Sequence, residues 1–230
     1  NGFADYGAGI YYTNSNAALS NLKVIDNTTS FYGGGLYLQW SNPNIDNLFI
    51  QNNSAQRGGG ITCYANSSPT LKNISISANS STHSGGGIWL NNNCNPSLLN
   101  VAITNNSTGV DGGGGMNINS STPTLTNVTI SGNTSDTPGG GFQLSGTNCH
   151  ITLVNSMMWN NSPQEIYFDE TSTADSIDIS YSNVAGGQDS IATNDNGTIT
   201  WGSGNIDVDP RFVDEENGNY HLLASSMLIN

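Results

Sequence analysis

The chain has 230 residues, of which 35% are hydrophobic and only 9% charged, and it contains 28 glycines and 35 asparagines. Helical bundles and coiled coils are excluded, because they depend on the strong helix formers that this composition lacks. The net charge of -13, with only four Lys and Arg residues, excludes nucleic acid and anionic membrane surfaces as partners. No apolar run is long enough to form a transmembrane segment.

Three sets of residues recur along the chain with spacings of 25 to 28 residues. Glycine clusters begin at Gly7, Gly33, Gly58, Gly85, Gly113 and Gly139. One Asn series is Asn21, Asn47, Asn73, Asn100, Asn127 and Asn155, and a second series follows each of these by six residues. Asn tolerates left-handed backbone angles, and stacked amides can hydrogen-bond to each other, so both series suit corners. A period of this size indicates a solenoid.

Apolar residues keep step with this repeat. Each glycine cluster is followed by an apolar-x-apolar unit, such as Leu36 and Leu38. Further apolar residues flank the first Asn series, as Leu71, Ile74 and Ile76 do around Asn73. Period-two alternation predicts strands, with about five inward side chains on three short strands in each repeat.

Two solenoid folds compete for this pattern. The window from Leu19 through Leu22 and Val24 to Asn27 fits the start of a leucine-rich repeat. The next apolar position of that repeat is occupied by Thr29, and three glycines stand where a helical segment is usual, at a cost of about 1 kcal/mol each. We therefore favour an all-β, parallel β-helix with three strands per turn and turns stacked at about 4.8 Å.

Six turns are regular, and the period then weakens. We predict a seventh turn that uses Ile166 and Phe168 and an eighth around residues 177–181. The repeats then span residues 1–182, and residues 183–230 form an irregular acidic C-terminal cap of the same domain.

The C-terminal residues carry a specific resemblance. Residues 204–214 (GNIDVDPRFVD), 217–222 (NGNYHL) and 225–229 (SSMLI) resemble the closing segment of many secreted right-handed parallel β-helix proteins of bacterial surfaces. These proteins have polymorphic-outer-membrane-type repeats, which the glycine and Asn repeats also resemble. The resemblance implies right-handed winding and an extracellular, secreted or cell-surface location. The chain departs from the family at Met227, where Pro is usual.

The three cysteines do not predict a disulfide. Cys63 lies in an inward strand position, where a small core thiol is expected. Cys94 and Cys149 fall in one column two turns apart, about 9 to 10 Å by the strand spacing, which exceeds disulfide reach.

The C-terminal acids are a candidate metal site. Asp207, Asp209 and Asp214, with Glu215 and Glu216, could supply the hard oxygens that Ca²⁺ prefers. The alternative is a solvated acidic surface, because the twelve-residue calcium loop pattern is missing. No cofactor other than Ca²⁺ is expected.

Catalysis on polysaccharides is limited by the supply of side chains. A lyase needs a base and cations for the uronate carboxylate, yet Arg57, Lys72 and Lys23 are predicted to face three different ways. A hydrolase needs two carboxylates about 5 to 9.5 Å apart, and Asp111 and Asp136 precede the glycine clusters of adjacent turns. Solvated loop acids are the alternative interpretation of this pair.

The outward positions of the glycine-led strands suggest a carbohydrate surface. They are Tyr11, Tyr37, Thr62, Trp89, Asn117, Gln143 and Tyr167. Aromatic rings can lie against sugar faces while amides bind hydroxyls, so Tyr11, Tyr37, Trp89 and Tyr167 are candidate glycan-binding residues. Aromatic residues are also good strand formers, which explains them without a ligand.

The first turn begins within a few residues of Asn1, and the first residues show no basic or apolar leader pattern. We expect either a mature or excised chain that lacks upstream sequence, or a partner subunit that covers the open turn. Head-to-tail stacking of copies would produce a filament.

These observations favour a non-catalytic, extracellular structural or adhesive module of a bacterial surface, which contacts glycans or assembles end to end. The competing hypothesis is a polysaccharide lyase or glycoside hydrolase that uses the face of the glycine-led strands.

Overall fold

A computed structural model describes residues 2–229, in which parallel strands wind into a solenoid of about eight turns. Three parallel sheets, A, B and C, contain six, seven and ten strands. Neighbouring strands of a sheet come from successive turns, so every sheet runs along the solenoid axis. The predicted parallel β-helix is confirmed.

Sheet A consists of β1 (Phe3–Tyr6), β4 (Thr28–Tyr32), β7 (Ser54–Arg57), β10 (Ser80–Ser84), β13 (Ser107–Thr108) and β16 (Thr134–Ser135). Sheet B consists of β2 (Ile10–Thr13), β5 (Leu36–Gln39), β8 (Ile61–Tyr64), β11 (Ile88–Asn91), β14 (Met116–Asn119), β17 (Phe142–Ser145) and β20 (Ile166–Phe168). Sheet C consists of β3 (Leu19–Ile25), β6 (Asn44–Gln51), β9 (Thr70–Ser77), β12 (Ser97–Thr104), β15 (Thr124–Ser131), β18 (His150–Val154), β19 (Met157–Trp159), β21 (Asp175–Ser180), β22 (Asn183–Val184) and β23 (Gly197–Trp201).

A short antiparallel hairpin follows, formed by β24 (Phe212–Asp214) and β25 (Asn219–Leu222). Three 3₁₀ turns cover Gln188–Ser190, Glu215–Asn217 and Met227–Ile229. Within residues 2–229, no helix has the length and apolar character needed to cross a membrane.

The glycine-led strands form sheet B, as the alternation predicts. Their first residues stack in register and are fully buried in one inward column, which is Leu36, Ile61, Ile88, Met116, Phe142 and Ile166. Stacking like side chains at each level buries every apolar residue against two neighbours, which is how a solenoid gains its stability.

The other two strands of each turn differ from the prediction in position. The pair expected around each residue of the first Asn series is one strand of sheet C in the first five turns, bent where Asn47 and Asn100 take φ angles of 57° and 56°, and stays two strands only around Asn155. Sheet A arises from segments such as Ser54–Arg57, which were not expected as strands. Their inward residues are small, as Ala55 and Thr108 show, so these segments lack an apolar alternation.

The last turns also shift relative to the prediction. Strand β21 (Asp175–Ser180) pairs with β18 and belongs to the seventh turn together with β20, not to a separate eighth turn. The eighth turn instead contributes β23 (Gly197–Trp201), which pairs with β21. Parallel pairing therefore continues beyond residue 182.

The two Asn series serve different purposes. The outer Asn column, which contains Asn47 and Asn100, is exposed and supplies the left-handed bend in sheet C. The inner Asn column is Asn27, Asn53, Asn79, Asn106, Asn133 and Asn161, and all six residues are buried. In the inner column, the backbone N–H and the side-chain Nδ2 of each Asn donate to Oδ1 of the Asn in the next turn, as Asn79 does to Asn106 at 3.0 Å.

The inner Asn column ends on a carboxylate. The backbone N–H and Nδ2 of Asn161 donate to the two carboxylate oxygens of Glu165, which is 6% exposed. An ionised carboxylate only accepts hydrogen bonds, so it is a suitable end for a column in which every Asn donates forward. Burial raises the pKa of Glu165 to about 7, partly opposed by these hydrogen bonds.

The cysteines are free and buried. Cys63 lies in an inward column of sheet B between Leu38 and Leu90. Cys94 donates its backbone N–H to Ser121 Oγ in the next turn, and Cys149 lies one turn further on. The geometry agrees with the expectation that Cys94 and Cys149 do not form a disulfide.

Residues 207–229, which we call the strap, fold back along the outer face of sheet C. Asn160 Nδ2 donates to Glu215 Oε1 at 2.7 Å, and Tyr220 lies beside Thr104 and Asn105, two turns earlier, around a shared cavity. Near the C-terminal end of the strap, Leu228 and its neighbours line a cavity of about 370 Å³ against sheet C. Of the segment 183–230 predicted as an acidic C-terminal cap, residues 207–229 thus lie along the side of the solenoid, while β22 and β23 belong to sheet C.

Replacing Tyr220 with alanine is expected to release the strap without unfolding the solenoid. The variant loses an edge-to-face contact with Phe212, whose centroid lies 5.0 Å away, and the packing of the ring beside Thr104 and Asn105, together about 1–2 kcal/mol. Limited proteolysis should cut the variant faster within residues 207–229, while Tyr220→Phe, which keeps the ring, should show less effect. An unchanged cleavage pattern in the alanine variant would contradict this anchoring role.

Candidate functional site

A groove of about 650 Å³ runs over the outer face of sheet B from the second to the seventh turn. Its floor follows the outward column of sheet B, and Tyr64, Asn91, Asn119 and Ser145, the last residues of successive strands, line it as well. One wall of the groove is built by segments that precede the glycine clusters, including Arg57, Asp111 and Pro138.

An insertion in one repeat supplies the part of this wall around Asp111. The longest glycine spacing, 28 residues, lies between Gly85 and Gly113. The added residues form a turn at Val110 and Asp111, which returns to sheet B through Gly112 at a φ of 67°. A side chain at this glycine would collide with Gln143 Oε1 and the Pro138 carbonyl, so the close packing of the wall on the floor requires glycine here.

The predicted outward column is in register across the turns. Tyr11, Tyr37, Thr62, Trp89, Asn117, Gln143 and Tyr167 pair in sequence along sheet B. The flat exposed surface that the sequence suggests is not what forms, because Tyr37, Thr62, Trp89, Asn117 and Gln143 are buried. Tyr11 is 49% exposed, and Tyr167 is partly buried within the groove.

Aromatic rings form the N-terminal half of the groove. The Trp89 ring lies 5.0 Å from the ring of Tyr32 and 6.2 Å from that of Tyr64, and the Arg57 guanidinium covers it at 5.5 Å. Trp89 is only 6% exposed, so the rings that a ligand meets first are Tyr32 and Tyr64. Of the other candidates, Tyr11 and Tyr37 stack on each other at 5.2 Å in the first two turns. Neither residue lines the groove.

Amides and carboxylates form the C-terminal half. Asn117 Nδ2 donates to the Asp111 carbonyl at 3.0 Å, and its Oδ1 accepts from Ser145 Oγ at 3.3 Å. Gln143 Nε2 donates to Asp169 Oδ2 at 3.1 Å. The Gln143 Oε1 atom is buried and has no hydrogen-bond partner among the described residues. This half therefore offers polar atoms within a partly enclosed space.

Two carboxylates line the groove, but they are not the predicted pair. Asp111 Oδ2 lies 3.4 Å from Arg57 Nη2 and 3.3 Å from Ser84 Oγ. Asp136 is exposed and does not line the groove, because Thr137 and Pro138 occupy the wall there. The second groove carboxylate is Asp169, directly after β20, in line with the last residues of the earlier sheet B strands. Extending the column of Tyr64, Asn91, Asn119 and Ser145 by one turn would have identified Asp169 from the sequence.

The remaining basic and acidic candidates lie elsewhere. Lys23 and Lys72 are both on the outer face of sheet C, where Lys23 Nζ lies 5.9 Å from the Phe49 ring, so only Arg57 is at the groove. Within the strap, Asp209 Oδ1 accepts from the Arg211 backbone N–H at 2.8 Å. Asp214 caps the turn at Asn217, and Asp207 is exposed. Among residues whose side chains are described, no three His, Cys, Asp or Glu residues form a metal-binding group.

Comparison with known proteins agrees with the architecture. Searches of curated proteins and of solved structures found no match. The family model described as the right-handed β-helix region matches residues 1–158, which is more than half of the chain. The chain therefore belongs to the right-handed β-helix family.

Proposed function

We propose that this protein is a non-catalytic, extracellular structural or adhesive module that binds glycans in the sheet B groove. The observation that carries the proposal is the convergence of Tyr32 and Tyr64 with Asn117 and Gln143 in one groove. Glycans present apolar ring faces beside arrays of hydroxyls, and binding sites for them combine aromatic rings with amide groups.

The shape of the groove also suits a chain-like ligand. The groove crosses successive turns from Tyr32 in the second to Asp169 in the seventh, so a ligand along it meets equivalent positions of several strands. The open side lies along the length of the rod, which leaves a long polymer free to extend past either end. A repeat-built groove therefore favours an oligosaccharide segment over a compact small molecule.

An extracellular, bacterial surface setting is supported by the resemblance of residues 204–229 and of the glycine and Asn repeats to secreted β-helix proteins. Rigid stacking of the turns suits a display or adhesive role. The first turn pairs on one side only in sheets A, B and C, so a second copy could add its strands there and build a filament. Light scattering at rising protein concentration tests this part of the proposal, and a constant monomer mass would refute it.

Replacing Tyr64 with alanine is expected to weaken oligosaccharide binding by about tenfold, because ring stacking contributes about 1.4 kcal/mol. Calorimetric titration against a panel of neutral and charged oligosaccharides measures the effect. The matched control is Phe49→Ala, which removes an aromatic ring that is 50% exposed on sheet C, outside the groove. Failure of the unmodified protein to bind any glycan of the panel would refute the proposed function.

A glycoside hydrolase is the second candidate, because Asp111 and Asp169 line the same groove. Two carboxylates that flank a bound glycan can serve as acid and base. The test is the release of reducing sugar ends. Release by the unmodified protein that is lost in the Asp111→Asn variant would establish hydrolase activity in place of the non-catalytic function. A lyase is less well supported, since Arg57, the basic residue of the groove, is engaged by Asp111.

A further inference from the structure

We infer that the groove binds glycans built from amino sugars that carry free ammonium groups. The inference rests on the proposed function and specifies its ligand class. It follows from the charges of the groove, from the hydrogen-bonding character of its floor and from the aromatic rings at its N-terminal half.

The ionised groups of the groove sum to a negative charge. The Arg57 guanidinium is held between the Trp89 ring, at 5.5 Å, and the Asp111 carboxylate, at 3.4 Å. This ion pair leaves Asp169 as the excess charge, because Arg57 is the only basic residue that lines the groove within the described chain. The field of the whole protein, at a net charge of -13, has the same sign. Uronate and sulfated glycans would therefore be repelled, and cationic glycans attracted.

The floor of the C-terminal half presents oxygen acceptors. Gln143, which is 6% exposed, leaves Oε1 without a partner, while its Nε2 is directed to Asp169 Oδ2. Asn117 Nδ2 donates to the Asp111 carbonyl, and Asn117 Oδ1 accepts a hydrogen bond from Ser145 Oγ. Gln143 Oε1 is buried against Gly112, so it adds negative potential beneath the groove without contacting a ligand directly. An ammonium group has three donors and no acceptor, which matches this surface.

The N-terminal half also favours a cation. The Tyr32 and Tyr64 rings lie 6.4 Å apart at 25° and line the groove beside Trp89. Faces of aromatic rings attract cations as well as apolar sugar faces, as the position of Arg57 over Trp89 already shows. An amino sugar combines both properties in one residue, so both halves of the groove select the same ligand.

The test is calorimetric titration with three probes: a glucosamine hexamer, an N-acetylglucosamine hexamer and a galacturonate hexamer. We expect the glucosamine hexamer to bind tightest, the acetylated hexamer more weakly and the galacturonate hexamer not at all. Binding of the glucosamine hexamer should weaken as salt rises, because added ions screen its attraction to the groove. Asp169→Asn and Asp111→Asn should each lower its affinity about fivefold.

The control is Asp46→Asn, which removes one carboxylate from the outer face of sheet C and should leave the affinity unchanged. Thermal unfolding of each variant shows whether it remains folded, and the salt dependence of the unmodified protein tests the inference without any substitution. Equal, salt-independent binding of the acetylated and free hexamers would overturn the amino-sugar inference and leave glycan binding standing. Failure of all three hexamers together with a wider panel would refute both.

Discussion

Replacing Asn106 with alanine is expected to lower the free energy of unfolding by about 5 kcal/mol. Asn106 is fully buried, its Oδ1 accepts from both the backbone N–H and Nδ2 of Asn79, and its Nδ2 donates to Asn133 and to the Ile76 carbonyl. Alanine leaves several of these groups buried and without partners, each costing about 1–3 kcal/mol. Chemical denaturation monitored by circular dichroism measures the loss.

The outer Asn column provides the matched control. Asn100 lies in the same turn, is exposed, and exchanges single hydrogen bonds with Asn73 and Asn127. Asn100→Gly keeps the left-handed backbone conformation accessible and should cost less than about 1 kcal/mol. Similar losses in the Asn106 and Asn100 variants would show that the two columns do not differ in the way that their burial indicates.

Glu165 is expected to make the protein more stable in mild acid than in mild base. Burial raises the pKa of this carboxyl from 4.5 to about 7. Between these values the folded state binds more protons than the unfolded chain, so stability is highest below about pH 4.5 and falls as pH rises through 7. Each pH unit of that window corresponds to about 1.4 kcal/mol, which gives about 3 kcal/mol in total.

Glu165→Gln isolates this contribution. The amide oxygen can accept from Asn161 as the earlier Asn residues do, and no charge is buried at high pH. The variant should match the unmodified protein near pH 4 and be more stable by up to about 3 kcal/mol near pH 8.5. Burial also raises the pKa of Asp175, which adds a contribution of the same sign to both proteins. A pH dependence that is identical in the two proteins would contradict the assignment to Glu165.

The fold was predictable because the same sequence pattern recurs in successive turns. Leu36 and Leu38 alone are compatible with a helix or a strand, but their equivalents in six turns leave only a solenoid. Sheet A was missed because its inward residues, such as Ala55 and Ser81, are small or polar. The strap was misplaced because the contact of Tyr220 with Thr104 and Asn105 joins residues more than 100 positions apart, which no local pattern records.

The site was predictable in its alignment and unpredictable in its accessibility. The outward column from Tyr11 to Tyr167 followed from the period of two, and its register is confirmed. Its use as a glycan surface stays a prediction. Burial of Trp89 beneath Arg57 depends on a side chain from the preceding segment of another turn, whose direction the period does not specify. Asp169 was missed because it lies in the seventh turn, where the glycine cluster of the repeat is absent.

The strap fixes the number of turns that can lie between two of its attachments to the solenoid. Two of its attachments, Asn160 beside Glu215 and the Thr104–Asn105 pair beside Tyr220, lie on different turns, and the span between Glu215 and Tyr220 is fixed by the hairpin. Duplicating one repeat between the anchors would move them apart by about 4.8 Å, so a lengthened rod would have to give up one of the two attachments. Evolutionary gain or loss of turns between Asn105 and Asn160 is therefore coupled to the strap.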